Sequence, residues 1–461
     1  MMSGIGPRVA FVVPSLRLSG GINVVVQHAV QLANHHGFDV TLVISHEPDS
    51  PRWQYPGIAA ISVIELNEAT TQEFDLTIAT WWDTVQVLWD IPSKRQAYFV
   101  QSLEDRFHAA NELEGELARL TYLLGLPVIT EARWIRDTLA IVDPDQPAYY
   151  VRNGIDKAVF SPPDQPPALD EGPLRIFIEA TPAWFKGLND ALDIVDNMTE
   201  PSHVSVSSSV QLSDDVRRRV DVVNDPMTHA ELFEEFGRHH LILKTSRVEG
   251  MYGPPLEAFH AGATVVTTPV TGHDEYVQHG WNGMVIDWDD PKGSARMLDL
   301  LSIDRGLLNL LRTNALATAQ LWPSWDQASA TFAAVLAALL DAEPTNAFTA
   351  AQPLYIETRS TIERFGYERH RLWEKQQADR EHIAKLDDLT LHLESDRAIA
   401  ATALRAAQAL AAQLEIETEA LRRSRLLRLL HVVERPWRRL RPGSTVLERI
   451  RNIGAPNDPG L

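Results

Sequence analysis

The chain of 461 residues contains no cysteine. Disulfides, thiolate metal sites and cysteine nucleophiles are thereby excluded, and the absence suits a reducing cytosol. Long apolar runs are missing as well. The run nearest the N-terminus, "RVAFVV", is followed by Pro14 and is too short for a signal peptide or a membrane span, so it reads as a first β-strand in a cytoplasmic protein. No GxGxxG fingerprint occurs, which argues against a nicotinamide dehydrogenase. Acidic residues outnumber basic ones, and a formal net charge of −20 argues against a general nucleic-acid partner.

What is present is a soluble composition, with 44% hydrophobic and 23% charged residues, and enough length for two domains plus an extension. From Arg8 onward, β-rich runs ("RVAFVV", "DVTLVI", "ISVIEL", "DLTIAT", "AYFVQ", "PVIT") alternate with helix-like stretches. Nearly continuous apolar strands separated by helices mark a parallel sheet covered on both faces. After the proline-rich "FSPPDQPPALDEGP" the pattern restarts with "LRIFIEA", "HVSVSS", "RVDVV", "LILKTS", "ATVVTT" and "GMVIDW". The fold class is therefore α/β, with two doubly wound Rossmann-like domains over 1–165 and 166–341. A linker is expected over 342–354, a long helix or coiled coil over 355–430, and a basic tail over 431–461.

The stretch "EGMYGPPLE" (249–257) carries two glutamates across a Gly-Pro-Pro turn. Pro254 and Pro255 suit the first turn of a helix, so Glu249 falls on the loop after "LILKTS" and Glu257 in the opening turn of that helix. Both then approach the crevice at the carboxyl ends of the strands, where open α/β sheets bind ligands. A carboxylate there can accept hydrogen bonds from a vicinal diol. By spacing alone the pair is no more than helix-start acids favoured by the macrodipole. Gly20 and Gly21, ahead of a helix, either allow close approach of backbone N–H groups to a phosphate or mark a plain strand-to-helix turn, and Lys186 either supplies a full positive charge to a ligand or is a solvated loop lysine.

The long block "TSRVEGMYGPPLEAFHAGATVVTTPVTGHDEYVQHGWNGMVIDWDD" (245–290) resembles the donor-binding region of the retaining family-four glycosyltransferases. "VRNGIDKAVFSP", "FKGLNDAL" and "PSLRLSGGINVVVQ" are similar to that family's interdomain segment, lysine-glycine element and first glycine loop. The resemblance spans about residues 8–340 and implies the GT-B architecture, two domains facing across a cleft. It implies a nucleotide-sugar donor as substrate, no cofactor and no metal. Glu257 would hold the ribose, Glu249 would lie against the donor sugar, and Lys186 with the Gly20 and Gly21 amides would contact the diphosphate. Met251 and Tyr252 would offer backbone groups to sugar hydroxyls. Catalytic roles fall to Glu249 and Lys186. Two positions depart from the family. Thr181 stands where an arginine is usual, leaving Arg247 or Lys244 to replace its charge, and Gln101 stands where a histidine is common. "YFVQ…E" and "IATWWDT" are more similar to rhamnosyltransferases that use a thymidine-diphosphate sugar, with Gln101 and Glu104 facing donor or acceptor.

Two features remain. Apolar residues at heptad places over 386–421, interrupted by Asp396 and Glu417, fit either a homo-oligomeric coiled coil or a helix packed on its own domain. Between Arg422 and Arg451 ten arginines face two glutamates, a composition suited to an anionic membrane surface or to the acidic body of the protein itself. The expected activity is sugar transfer to a glycan or lipid-linked acceptor in surface polysaccharide synthesis, peripheral at the inner face of the membrane. A nucleotide-sugar epimerase and a non-catalytic binding or interaction protein are the alternatives.

Overall fold

The computed structural model describes residues 6–46, 52–109, 112–181, 183–208, 210–343 and 345–423. They fall into two compact units, one up to His370 and one from Arg371 onward.

The first unit holds two parallel sheets. In the first lobe the strands are β1 (Arg8–Val13), β2 (Asp39–Ile44), β3 (Ser62–Glu65), β4 (Leu76–Ala79), β5 (Gln96–Val100), β6 (Val128–Thr130) and β7 (Ala148–Tyr150). They lie in the order β3-β2-β1-β4-β5-β6-β7, all parallel. In the second lobe β8 (Leu174–Glu179), β9 (Ser202–Ser207), β10 (Val222–Asn224), β11 (Leu241–Lys244), β12 (Thr264–Thr267) and β13 (Gly283–Val285) lie in the order β10-β9-β8-β11-β12-β13, again all parallel. The cause is visible in the residues: all but the first position of β1 and of β2 are buried, as expected for strands covered on both faces. In each sheet the order reverses beside its first strand, which opens a crevice at the carboxyl ends of β1 and β4 and of β8 and β11.

Two domain boundaries differ from those expected. The helix Trp325–Asp341, expected in the second lobe, packs on the first. Its Phe332, Leu336 and Leu339 share a core with Phe11, Phe99 and the Val25, Val26 and Ala29 face of the Gly20–His35 helix. Buried His28 of that helix also meets Ser329 Oγ at 2.9 Å through Nδ1. The segment 342–354 is not a linker throughout, because a helix begins at Ala347 and runs to Arg423 with Pro353 inside it. Phe348, Ala351 and Tyr355, at helical spacing, dock on the first lobe and outweigh the proline. Phe348 stacks on Trp89 with ring centroids 4.5 Å apart.

The chain crosses between lobes twice, and the crossings touch. Ile155 N–H donates to Pro323 O at 3.1 Å, and a Cβ on Gly154 would come within 2.5 Å of the Trp325 backbone. Among the described residues no helix is long and apolar enough to cross a membrane. The arginine-rich stretch beyond the helix end at Arg423, and with it the basic tail, lies outside the described residues.

Candidate functional site

The carboxyl ends of β8 and β11 carry four charges that meet. Lys244, the last residue of β11, is buried and pairs with Glu179, the last residue of β8. Its ammonium also lies 3.4 Å from Glu249 Oε1. Lys186 Nζ donates to both Glu249 oxygens at 2.9 Å. Burial disfavours the Lys244 ammonium, yet the carboxylates of Glu179 and Glu249 outweigh it and hold its pKa above the ordinary lysine value. Burial pushes Glu179 upward, but Lys244 and Lys186 pull its carboxyl down to about 2.

Local backbone contacts explain why Lys186 arrives there. Its loop ends at Gly187, whose φ of 71° is the left-handed region that favours glycine, and a Cβ there would meet Thr245 O at 2.2 Å. Thr245 Oγ1 donates to Gly187 O at 2.7 Å, and Arg247 N donates to Phe185 O at 2.7 Å. The two loops are thus laced together, setting Lys186 beside Glu249. Arg247 itself is held by Asp190 at 3.0 Å through Nη2 and does not join the cluster. Lys244 is the cation that does, next to the strand whose following residues carry uncharged Thr181, where Oγ1 accepts from Ala183 N.

Glu257 sits in the first turn of the Pro254–His260 helix. Burial, reinforced by the charge of Glu179, raises its carboxyl to about 7. Among the described residues no hydrogen-bond donor reaches it, so its acceptor capacity is free for a ligand. Tyr252 is buried, with its hydroxyl 2.9 Å from Thr267 Oγ1.

From the first lobe, the helix Gly20–His35 points its start at the same cleft. Ser19, its N-cap, makes no side-chain cap, and the first intrahelical bond runs from Asn23 N, which leaves the Gly20, Gly21 and Ile22 amides for a ligand. A Cβ on Gly20 would meet nothing within 4 Å, whereas one on Gly21 would come 3.3 Å from Gln101 Oε1. Gln101 in turn presses its carbonyl on the second lobe: a Cβ on Gly250 would lie 1.8 Å from Gln101 O. Gly21, Gln101, Gly250, Glu249 and Lys186 therefore form one continuous set of contacts. Glu104 differs from its expected place facing the cleft. It is buried, accepting from Trp82 N at 2.5 Å and from Tyr98 Oη at 2.9 Å, and these donors draw it inward, with its pKa pushed well up by burial.

Several residues that the sequence reading did not single out clasp the lobes around the 249–252 loop. Glu131, at the end of β6, accepts from Met251 N at 3.1 Å and from Asn153 Nδ2 at 2.7 Å, so the Met251 amide is engaged within the protein. Its pKa is raised to about 8, chiefly by burial, against which these two donors act, and further by the nearby charges of Glu249 and Glu275. Reciprocally, Glu275 of the second lobe accepts from Arg133 N at 2.6 Å and from Tyr150 Oη at 2.7 Å. Trp134 Nε1 donates to Gly250 O at 2.9 Å, and Arg106 Nη1 to Thr271 Oγ1 at 2.8 Å. The sequence offers little signal for these, since an isolated acid after an apolar strand reads as a surface charge.

Residues 175–303 match the family model of the group 1 glycosyl transferases. Among solved structures, the chain is similar to sucrose-phosphate synthase from Thermosynechococcus elongatus, with 16% identity, a TM-score of 0.62, and coverage of 73% of this chain and 100% of that one. It is similar to HepE of Anabaena, solved with UDP and glucose, at 12% identity and TM-score 0.57 over 72% of this chain and 100% of that one. It also resembles the lipopolysaccharide outer core galactosyltransferase WaaB, at 12% identity and TM-score 0.56 over 72% of this chain and 99% of that one. No curated protein sequence matches the chain. The two parallel sheets are thus the GT-B fold, and the second lobe carries the match to the group 1 glycosyl transferases.

Proposed function

We propose that the protein moves a sugar from a nucleoside-diphosphate sugar to a hydroxyl of a glycan or lipid-linked acceptor, with retention at the anomeric carbon. The observation that carries this reading is the bidentate Lys186–Glu249 pair at the ends of β8 and β11, facing the free first turn of the Gly20–His35 helix. Breaking the anomeric C–O bond leaves negative charge on the departing diphosphate, and a cation with aligned backbone N–H groups stabilises that charge as it grows. Lys186 and the Gly20 and Gly21 amides meet this need. Glu257, without an internal donor, accepts from the ribose diol. Once diphosphate engages Lys186, Glu249 is released toward the sugar hydroxyls while Lys244 keeps its position. The acceptor hydroxyl attacks from the face the diphosphate leaves, forming the new C–O bond as the old one breaks, and its proton passes to the departing diphosphate. HepE, of the same fold, holds UDP and glucose, which supports a nucleotide-sugar donor here. Gln101 and the Trp81–Trp82 stretch favour a thymidine-diphosphate deoxysugar such as rhamnose.

Thr181, uncharged beside the cluster, favours a second reading, in which the cleft binds sugar nucleotides without transfer. A panel of uridine-, guanosine- and thymidine-diphosphate sugars separates the two. Donor hydrolysis should appear with one of them and fall about 100-fold in Lys186→Ala. Thermal stabilisation by a nucleotide sugar with neither hydrolysis nor transfer to any acceptor extract would refute catalysis.

A further inference from the structure

We propose that residues 386–417 of the long helix pair antiparallel with the same segment of a second copy of this chain. Leu386, Leu389, Leu393, Leu410 and Leu414 are 48–60% exposed, on a helix whose residues 378–400 and 402–420 are all exposed. A lone helix of that length gains little from propensity, and most helical stability in proteins comes from packing an apolar face. The spacing of that face is strict. Positions 386, 389, 393, 396, 400, 403, 407, 410, 414 and 417 alternate steps of three and four, the a and d places of a coiled coil.

The residues at those places choose the partner and its direction. In a parallel, in-register pair each d residue faces its own copy, so Asp396 would meet Asp396 and Glu417 would meet Glu417. Two buried like-charge layers oppose that arrangement. Antiparallel pairing sets each a residue against a d residue. About a two-fold axis between Ala400 and Ala403, three of the five facing pairs join like residues: Ala400 opposes Ala403, Leu393 opposes Leu410, and Leu389 opposes Leu414. Asp396 then lies across from small Ala407, and Glu417 lies across from Leu386 next to the cation Lys385. Such self-complementarity is the mark of an isologous contact, in which residue i touches j and j touches i. A lipid surface or an unrelated protein imposes no such mirror on a sequence. The small residues at the centre also let the two backbones approach closely where the axis passes.

The absence of cysteine makes the test direct. Full-length Leu389→Cys and Leu414→Cys proteins, distinguished by tags of different size, are mixed, allowed to exchange and oxidised. The mixture should give the mixed disulfide as the main product, while either protein alone stays uncrosslinked because its thiol lies about 37 Å along the axis from the same thiol of its partner. Ala400→Cys with Ala403→Cys repeats the test at the axis, where no leucine is lost. Light scattering of the unaltered chain should give twice the chain mass, reduced to the monomer mass in Leu393→Asp. Homodisulfides from Leu389→Cys or Leu414→Cys alone, or a monomer mass for the unaltered chain at micromolar concentration, would overturn the proposal.

Discussion

Two glutamates on opposite sides of the cleft are tuned by burial, with opposite consequences. Among the described residues no donor reaches Glu257, and burial raises its carboxyl to about 7, so lowering the pH from 8 to 6 protonates it and removes the acceptor proposed for the ribose. Donor affinity should fall several-fold over that range in titration calorimetry. In Glu257→Ala it should be about 10-fold weaker and largely flat with pH. Affinity unchanged in Glu257→Ala would end the ribose assignment. Glu131 is instead committed to the protein, holding the Met251 amide and Asn153. Its folded pKa of about 8 stands above the ordinary 4.5, so the folded state holds its proton more tightly than the unfolded state does. The stability this contributes is full below about pH 4.5 and is lost as the pH rises through about 8. Glu131→Gln keeps an acceptor for Met251 and cannot ionise. Its melting temperature should therefore gain on the unaltered protein between pH 5 and pH 8, and a gap constant with pH would contradict the buried, proton-binding state of Glu131.

At the scale of elements, the loop 249–252 has room for a hydrogen atom and nothing larger at its second residue. A methyl group at Gly250 would collide with the Gln101 carbonyl at 1.8 Å and come 3.0 Å from Glu131 Oε1. Gly250→Ala should thus push the loop off the first lobe, with a loss of about 1–3 kcal/mol in denaturant unfolding and a larger proportional loss of transfer activity. Near-normal activity in Gly250→Ala would mean that the closeness of Gly250 to Gln101 is dispensable. The strands around this loop were legible in the sequence because β-branched and apolar runs such as "RVAFVV" and "DVTLVI" have few other ways to be buried. The strand Ala148–Tyr150 was not legible, being short, only partly buried and preceded by Pro147. The helix start at Ala347 was hidden by its prolines, since composition outweighed the spacing of Phe348, Ala351 and Tyr355. Lys186 and Glu249 could be singled out only through the family block around them. Glu104 looked like a cleft residue because nothing in "YFVQSLEDRF" tells that the Trp82 amide and Tyr98 hydroxyl draw it inward. Glu131 and Glu275 meet partners more than a hundred residues away, and no local pattern encodes such a meeting.

For the whole molecule, the twofold passage of the chain from lobe to lobe at Ile155 and Ser324 limits how the protein can move. Both crossings lie at one place, so the lobes share a common pivot there instead of hanging on a loose tether. A graft that stiffens either crossing should therefore lower turnover while leaving every residue of the Lys186–Glu249 cluster in place, and unchanged turnover would show that no movement at this pivot is needed.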